Sequence, residues 1–301
     1  HKGCAAFEKS DGTGVQAVAG IAQAVLDVLQ VGDDIQRGQS SRRHKHEHTH
    51  VLKVIRADTH GERAFLARHT HEYDQLVGSH GLDLCTRCIN GKRLAHVHQE
   101  LEAMIAPGIS TWEIDAKGEK LIRDCGCIPN FLHYNGYPAS ICVSVNDEVV
   151  HGIPRKDRYL KEGDIVSLDA GLIYKGYHSD AARTHAVGKV STEAQKLMDV
   201  TKQSFFEGIK MAKEGQHLHD ISRAIEEYVA PYGYGIVRDL VGHGIGTALH
   251  EDPQIPNYAQ KRRGVRLQAG MTLAIEPMIN AGSWEVDWMD DDWTVVTKDH
   301  S

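Results

Sequence analysis

The segment from residue 165 to residue 187 restricts the fold of this chain more than any other part of its sequence. Two strand-like, largely apolar runs flank Lys175-Gly176, and glycine in a two-residue turn supplies the positive φ that a tight hairpin needs. The spacing therefore predicts an antiparallel hairpin with strands over residues 165–174 and 177–187. In that register, residues whose numbers sum to 351 face each other.

The predicted hairpin brings two aspartates together. Asp169 would face Ala182 and Asp180 would face Gly171, so the two carboxylates share one face as diagonal neighbours about 7–8 Å apart. Carboxylates in otherwise apolar strands repel each other and are costly to bury, and a cation between them removes that conflict. The hairpin therefore predicts a metal site, with a solvated strand face as the alternative.

Three further residues extend this candidate site. His243 lies in Gly242-His-Gly-Ile-Gly246, where the flanking glycines would admit a close ligand. His250 follows in a polar stretch, and Glu276 ends an apolar run before Pro277. Each of these residues alone could be an ordinary solvated side chain. Combined with the two aspartates, His243 and Glu276 give a mixed oxygen and nitrogen donor set, which suits Mn, Fe, Co or Zn better than Mg. Two such ions would activate a water for attack on a carbonyl carbon.

The remaining periodicity mixes helices with antiparallel strands. We predict the end of a helix at residues 99–105, and further helices from residue 110 or 111 to 123, over 193–213 and over 219–232. We also predict a half-buried strand over residues 141–145 and another strand over 271–275. Because no β-α-β rhythm is present, the fold class is expected to be α+β.

The composition divides the chain near residue 94. All eight prolines lie at Pro107 or later, and residues 1–98 hold eleven of the twenty histidines. Only residues 15–29 have a helical apolar pattern in the first part. We therefore predict an unassigned His-rich segment over residues 1–92, which is disordered, foreign or a genuine additional domain, and a folded domain over 93–301. Cys85 and Cys88 form a single CxxC pair, and a zinc site would need two more ligands.

Composition also excludes several classes of protein. The chain has no run of about 18 apolar residues and no leader pattern, so we expect no membrane span and a cytoplasmic location. The formal net charge of −7 argues against nucleic acid as a specific partner. Monomer is the expected state.

Five ordered motifs between residues 97 and 301 resemble those of type I methionine aminopeptidases. The motifs are Asn135-Gly-Tyr-Pro-Ala-Ser-Ile-Cys142, Val149-Val-His-Gly-Ile-Pro154, the hairpin with Asp169 and Asp180, Gly242-His-Gly-Ile-Gly246 with His250, and Ile275-Glu-Pro277. The resemblance implies that residues 93–301 form a metallopeptidase domain of the pita-bread fold. It also implies two divalent metal ions, which could be Co, Mn, Fe or Zn, and removal of the N-terminal methionine from nascent polypeptides. Whether the chain associates with the ribosome stays open.

The resemblance also implies a role for particular residues. It makes metal ligands of Asp169, Asp180, His243 and Glu276, with Asp180 bridging both ions. His151 would contact the amino-terminal region of the substrate, and His250 would bind the scissile carbonyl oxygen. The pocket for the methionine side chain would be lined by Tyr134, Tyr137, Cys142, Trp293 and Phe131. An apolar pocket with aromatic rings and one thiol suits a thioether, whereas plain core packing is the alternative.

The sequence departs from the family pattern at one ligand. The family implies a fifth ligand, a glutamate on a last strand, and no residue here matches it. We therefore expect weak or single-metal binding and low activity from this chain. Two alternatives stay open: a proline-specific or creatine-cleaving enzyme of the same fold, and a non-catalytic pita-bread protein that binds peptide or ribosome. The native metal and the preferred second residue of the substrate are not determined by these motifs.

Overall fold

The computed structural model describes residues 79–301, with side chains from Thr86 onward. Three features from the sequence analysis lie outside this part: the predicted helix over residues 15–29, the histidine run before residue 51 and the Cys85 side chain. Helix α1, Ser79–Glu102, is continuous, so the predicted boundary after residue 92 falls inside a helix. Among the described residues, no helix combines the length and apolar character needed to cross a membrane.

Three further helices follow α1. They are α2 (Thr111–Asp124), α3 (Thr192–Met211) and α4 (Leu218–Val229), with short 3-10 turns at Tyr134–Gly136 and Ala230–Tyr232. The start of α2 confirms the predicted cap, because Ser110 Oγ accepts the Glu113 N–H and the Glu113 carboxylate accepts the Ser110 N–H. This reciprocal capping box satisfies two backbone donors at the helix end.

The strands are mostly short, and every ladder between them is antiparallel. They are β1 (Ile128–Pro129), β2 (Ile141–Val145), β3 (Glu148–Val150), β4 (Ile165–Tyr174), β5 (Tyr177–Ala186), β6 (Gly235–Ile236), β7 (Gly242–Gly244), β8 (Glu251–Ile255), β9 (Leu273–Ala274), β10 (Ile279–Asn280), β11 (Val286–Trp288) and β12 (Val295–Thr297). Strand β4 pairs with β1, β2 and β5, whereas β7 lies between β8 and β9. Strand β12 lies between β11 and β3, and β6 pairs with β10. This mixture of helices and antiparallel sheets confirms the α+β class.

The long hairpin has the predicted register. Lys175 and Gly176 have φ values of 51° and 78°, which matches a two-residue turn with both residues left-handed. Asp169 pairs with Ala182, and Gly171 pairs with Asp180. Helix α1 is bound to β5 by side-chain hydrogen bonds: Asn90 Nδ2 donates to the Tyr177 carbonyl, and His98 Nε2 donates to the Ala181 carbonyl.

Three predicted elements differ from the structure. The prediction that residues 141–145 form a half-buried strand is wrong, because all five residues of β2 are buried. Helix α2 covers the face with Ile141, as expected. The other face is buried as well, because Cys142 packs in a second apolar cluster and Ser144 Oγ accepts the Gly152 N–H. The strand expected over residues 271–275 is only two residues long, and the helix expected to reach residue 232 ends at Val229, ahead of a 3-10 turn.

Candidate metal centre and apolar pocket

Four different strands or strand ends carry the candidate metal ligands. Asp169 comes from β4, Asp180 from β5 and His243 from β7. Glu276 lies two residues beyond Ala274, which is the direct partner of His243 in the β7–β9 ladder. Residues two apart along an extended chain project to the same side, so this pairing brings Glu276 to the histidine.

The structure brings three of the four residues into one group. Asp180, His243 and Glu276 each offer one ligand atom, and these atoms all lie within 4.8 Å of one another. His243 Nε2 is 3.2 Å from Glu276 Oε1 and 3.5 Å from Asp180 Oδ2. Asp169 is outside this group, although it shares the strand face of Asp180 as the register predicts.

The hydrogen bond on the far side of the imidazole orients His243. Its Nδ1–H donates to the Gly244 carbonyl over 2.7 Å, which leaves Nε2 directed at the two carboxylates. A histidine that ligates a metal ion is held in this way in most metal sites. Asp180 Oδ1 is buried and has no hydrogen-bond partner among the described residues, so a cation would supply its missing partner.

Burial and like charge perturb the titration of these groups. Burial, followed by the charges of Asp180 and Glu276, raises the pKa of Asp169 well above its usual range. Burial also raises the pKa of Glu276, and the charge of Asp180 adds to that effect. Burial lowers the pKa of His243, but hydrogen bonds to Asp180 and Glu276 outweigh it and raise that pKa to about 10. A divalent cation would relieve the carboxylate repulsion, so the donor set fits an ion of the Mn, Fe, Co or Zn type.

Two further histidines connect this group with an apolar region. The His250 ring lies edge-on to His243, with centroids 4.3 Å apart, and its Nδ1 is 2.9 Å from the Tyr134 hydroxyl. The His151 ring lies edge-on to Trp293 at 6.3 Å. Burial lowers the pKa of both His151 and His250, which favours their neutral forms near pH 7.

The five residues expected to line a side-chain pocket belong to one apolar cluster. Its members include Phe131, Tyr134, Tyr137, Cys142 and Trp293. Tyr137 packs edge-on against Trp293 at 5.0 Å, and its hydroxyl donates to the Gly152 carbonyl over 2.9 Å. Cys142 pairs with Asp169 in the β2–β4 ladder, so this apolar cluster adjoins the candidate ligands.

Four members of this cluster were not predicted from the sequence. They are Ala139, Ile153, Ile245 and Leu249. A signal was available for three of them, because Ile153 lies two residues after His151, Ile245 lies two residues after His243, and Leu249 precedes His250. A motif that contains a candidate polar ligand can therefore also contain the apolar residues that pack beside it.

The glycines beside His243 have a role in backbone packing. A Cβ on Gly242 would meet the Ala274 carbonyl oxygen, and one on Gly244 would meet the Asp252 carbonyl oxygen. These glycines therefore let β7 approach its neighbouring backbone closely.

The antiparallel α+β fold and the candidate ligands Asp180, His243 and Glu276 are those of a metallopeptidase. Residues 90–298 match the model of metallopeptidase family M24, and the chain belongs to this family. It is similar to the methionine aminopeptidase of Clostridium acetobutylicum, with 52% identity over 211 residues that make up 70% of this chain and 84% of the relative. These matches confirm the predicted resemblance to type I methionine aminopeptidases.

Solved structures agree with the assignment of the fold. The crystal structure of methionine aminopeptidase from Thermotoga maritima superposes with a TM-score of 0.72 at 44% identity, covering 73% of this chain and 88% of that one. The prolidase from Pyrococcus furiosus superposes with a TM-score of 0.56 at 23% identity, covering 67% of this chain and 58% of that one. The second likeness concerns the fold alone. Both confirm the pita-bread fold.

Proposed function

We propose that this chain removes the N-terminal methionine from polypeptides by metal-dependent hydrolysis of the first peptide bond. The observation that carries the proposal is the close group of Asp180, His243 and Glu276 beside a cluster of aromatic and aliphatic side chains. A methionine side chain is apolar and polarizable, so it suits such a pocket. The names of the similar proteins support the same activity.

The carboxylates and His243 would hold the metal. Two divalent ions would be held by Asp169, Asp180, His243 and Glu276. When bound, the ions polarise the scissile carbonyl and lower the pKa of a water. Because the same donor set accepts Mn, Fe, Co or Zn, availability determines which ion is used.

His250 and His151 would act on the substrate. With the Tyr134 hydroxyl donating to His250 Nδ1, the proton of this imidazole is on Nε2, where it can be donated to the carbonyl oxygen as negative charge develops there. A donor fixed before the reaction stabilises that charge without reorganisation. His151, next to Trp293 at the pocket, would contact the amino-terminal residue of the substrate.

The proposal also assigns the biological context. Residues 93–301 would form the catalytic domain, and the substrates would be newly made proteins in the cytoplasm. The pocket residues Phe131, Tyr134, Tyr137, Cys142 and Trp293 would surround the methionine side chain. We propose that the chain acts as a monomer.

Release of methionine from a Met-Ala-Ser peptide tests the proposal. We expect turnover that depends on added Mn, Co, Fe or Zn and is abolished by a chelator, and a fall of at least about 100-fold in Glu276→Gln. Glu285→Gln is the matched control, because Glu285 forms an exposed pair with Lys298 away from the candidate ligands. Metal titration by calorimetry distinguishes one bound ion from two.

Two results would favour the alternatives. Faster release of the first residue from a peptide with proline in second place would indicate a proline-specific peptidase. Metal and peptide binding without any hydrolysis would indicate a non-catalytic binding protein.

A further inference from the structure

A hydrogen bond between two residues without an assigned role connects the apolar pocket with the metal-ligand hairpin. His178 Nδ1–H donates to Asn130 Oδ1 over 2.7 Å. His178 lies on β5 two residues before Asp180, so both project to the same face of the hairpin. Asn130 directly precedes Phe131, which is 7% exposed and is a member of the pocket cluster.

The segment that carries Asn130 and Phe131 continues from β1, which lies antiparallel beside β4 of the hairpin. The Asn130 N–H donates to the Gly171 carbonyl over 3.0 Å, and Gly171 is the direct partner of Asp180. A Cβ on Gly171 would come within 2.9 Å of both Asn130 and Phe131 side-chain atoms. The aromatic ring therefore rests on the backbone that faces a candidate metal ligand.

His178 also joins this region to the loop before His250. Its backbone N–H donates to the Gly246 carbonyl over 2.7 Å, and Gly246 follows Ile245 of the pocket cluster. Asn130 is 4% exposed, so breaking its bond to His178 would leave a buried amide oxygen without a donor. Such a group costs free energy and tends to move toward another partner.

We propose that Asn130 and His178 are positioning residues that fix Phe131 against the hairpin and thereby set the side-chain selectivity of the pocket. The inference rests on the proposed function, because it assigns the pocket to the first residue of a peptide. Loss of the bond would let Phe131 move away from Gly171. The pocket would then fit the unbranched methionine side chain less closely and would accept bulkier side chains more readily.

Selectivity is measured with Met-Ala-Ser and Phe-Ala-Ser peptides and with the free amino acids methionine and phenylalanine. In Asn130→Ala and in His178→Ala, we expect the ratio of kcat/KM for the Met peptide over the Phe peptide to fall by roughly three- to tenfold. The ratio of the two binding constants, measured by calorimetry, should fall to a similar extent. In His178→Asn the amide N–H takes the place of Nδ1–H, and we expect most of the selectivity to return.

The matched control is Asn90→Ala. Asn90 is also fully buried, and its amide donates to the carbonyl of Tyr177, the neighbour of His178, but it lies on α1 and outside the pocket cluster. We expect this variant to unfold at a lower temperature with an unchanged selectivity ratio. Asn130→Ala combined with His178→Ala should cost no more selectivity than either change alone, since both remove one bond.

The inference is overturned if Asn130→Ala and His178→Ala lower both peptide rates and both binding constants by the same factor, as a purely structural role would. It is also overturned if His178→Asn restores the unfolding temperature without restoring selectivity. A chain that binds methionine selectively but never releases it from a peptide would contradict the proposed function instead, and the binding ratios would still decide the role of the pair.

Discussion

Asp180 lies directly opposite Gly171 in the β4–β5 ladder, and Asp169 lies two positions along β4, opposite Ala182. Both partners are small, and the space beside Gly171 is filled by the side chains of Asn130 and Phe131. The other face of β4 contributes Leu168, Ala170 and Leu172 to the main core, where all three are fully buried. The candidate ligands are therefore anchored on a strand that the core holds in place, which keeps their geometry precise.

Asp169→Asn should affect stability in opposite directions with and without metal. The raised pKa of Asp169 means that the folded state binds a proton where the unfolded state has lost it. In a chelator, the unfolding free energy should therefore fall as the pH rises above about 4. The substitution removes this fall, and we expect unfolding at pH 7.5 to occur roughly 2–4 °C higher, corresponding to about 1 kcal/mol.

With a divalent metal added, the same variant should gain less stability than the wild type and lose at least about 100-fold in activity. Thermal unfolding with and without metal measures the difference in unfolding temperature between Asp169→Asn and the wild type under both conditions. Asp164→Asn controls for the loss of one carboxylate charge elsewhere, because the Asp164 carboxylate accepts a solvent-exposed hydrogen bond from Asn146 Nδ2. If Asp169→Asn were destabilising in the chelator at pH 7.5, the carboxylate repulsion would not be the dominant effect.

Tyr134→Phe tests whether the tyrosine hydroxyl orients His250. The substitution removes the 2.9 Å contact with Nδ1 and keeps the ring in the pocket. We expect kcat to fall by roughly 10- to 100-fold, as for loss of a hydrogen bond to a developing charge, with a smaller change in KM. Tyr159→Phe, at an exposed position, should leave both constants unchanged. A rise in KM at constant kcat would mean that the hydroxyl only binds substrate.

The parts of the fold that the sequence predicted have local causes. Lys175-Gly176 determines the hairpin register through the conformation of two residues, and Ser110 with Glu113 determines the start of α2 through a reciprocal cap. Because register alone decides which residues share a face, the Asp169 and Asp180 pair could be predicted before any tertiary contact was known.

The remaining features depend on contacts between distant segments. Strand β2 is buried on both faces because α2 covers one face and the cluster around Cys142 covers the other, and its alternating pattern contains no signal of the second cover. The bond between Asn130 and His178 joins residues 48 positions apart. Strands such as β6 and β9 are two residues long, which is too short for any periodicity. Such features depend on tertiary packing rather than on local propensity.

Trp293→Ala should open the apolar pocket. Trp293 packs edge-on against Tyr137 at 5.0 Å, and such aromatic pairs contribute about 0.5–1.5 kcal/mol beyond their buried area. We expect kcat/KM for a Met peptide to fall by roughly 10- to 100-fold through lost contacts, and Trp293→Phe to recover part of it. Trp288→Ala is the control, because Trp288 is 53% exposed on β11. Equal losses in both variants would show that Trp293 acts only through stability.

His98→Gln should remove a source of acid instability in the core. Burial, followed by the charge of Arg183, lowers the pKa of His98 to about 3, so between pH 6.5 and pH 3 the unfolded state binds a proton that the folded state does not. The free energy of unfolding therefore decreases as the pH is lowered through that window. His98 should account for a decrease of about 2 kcal/mol between pH 7 and pH 5. Glutamine keeps a donor for the Ala181 carbonyl but does not titrate, so denaturant unfolding should lose less stability over this range. His96→Gln, at an exposed position on the same helix, should lose as much stability as the wild type when the pH is lowered. An unchanged pH dependence in His98→Gln would show that His98 is protonated in the folded state.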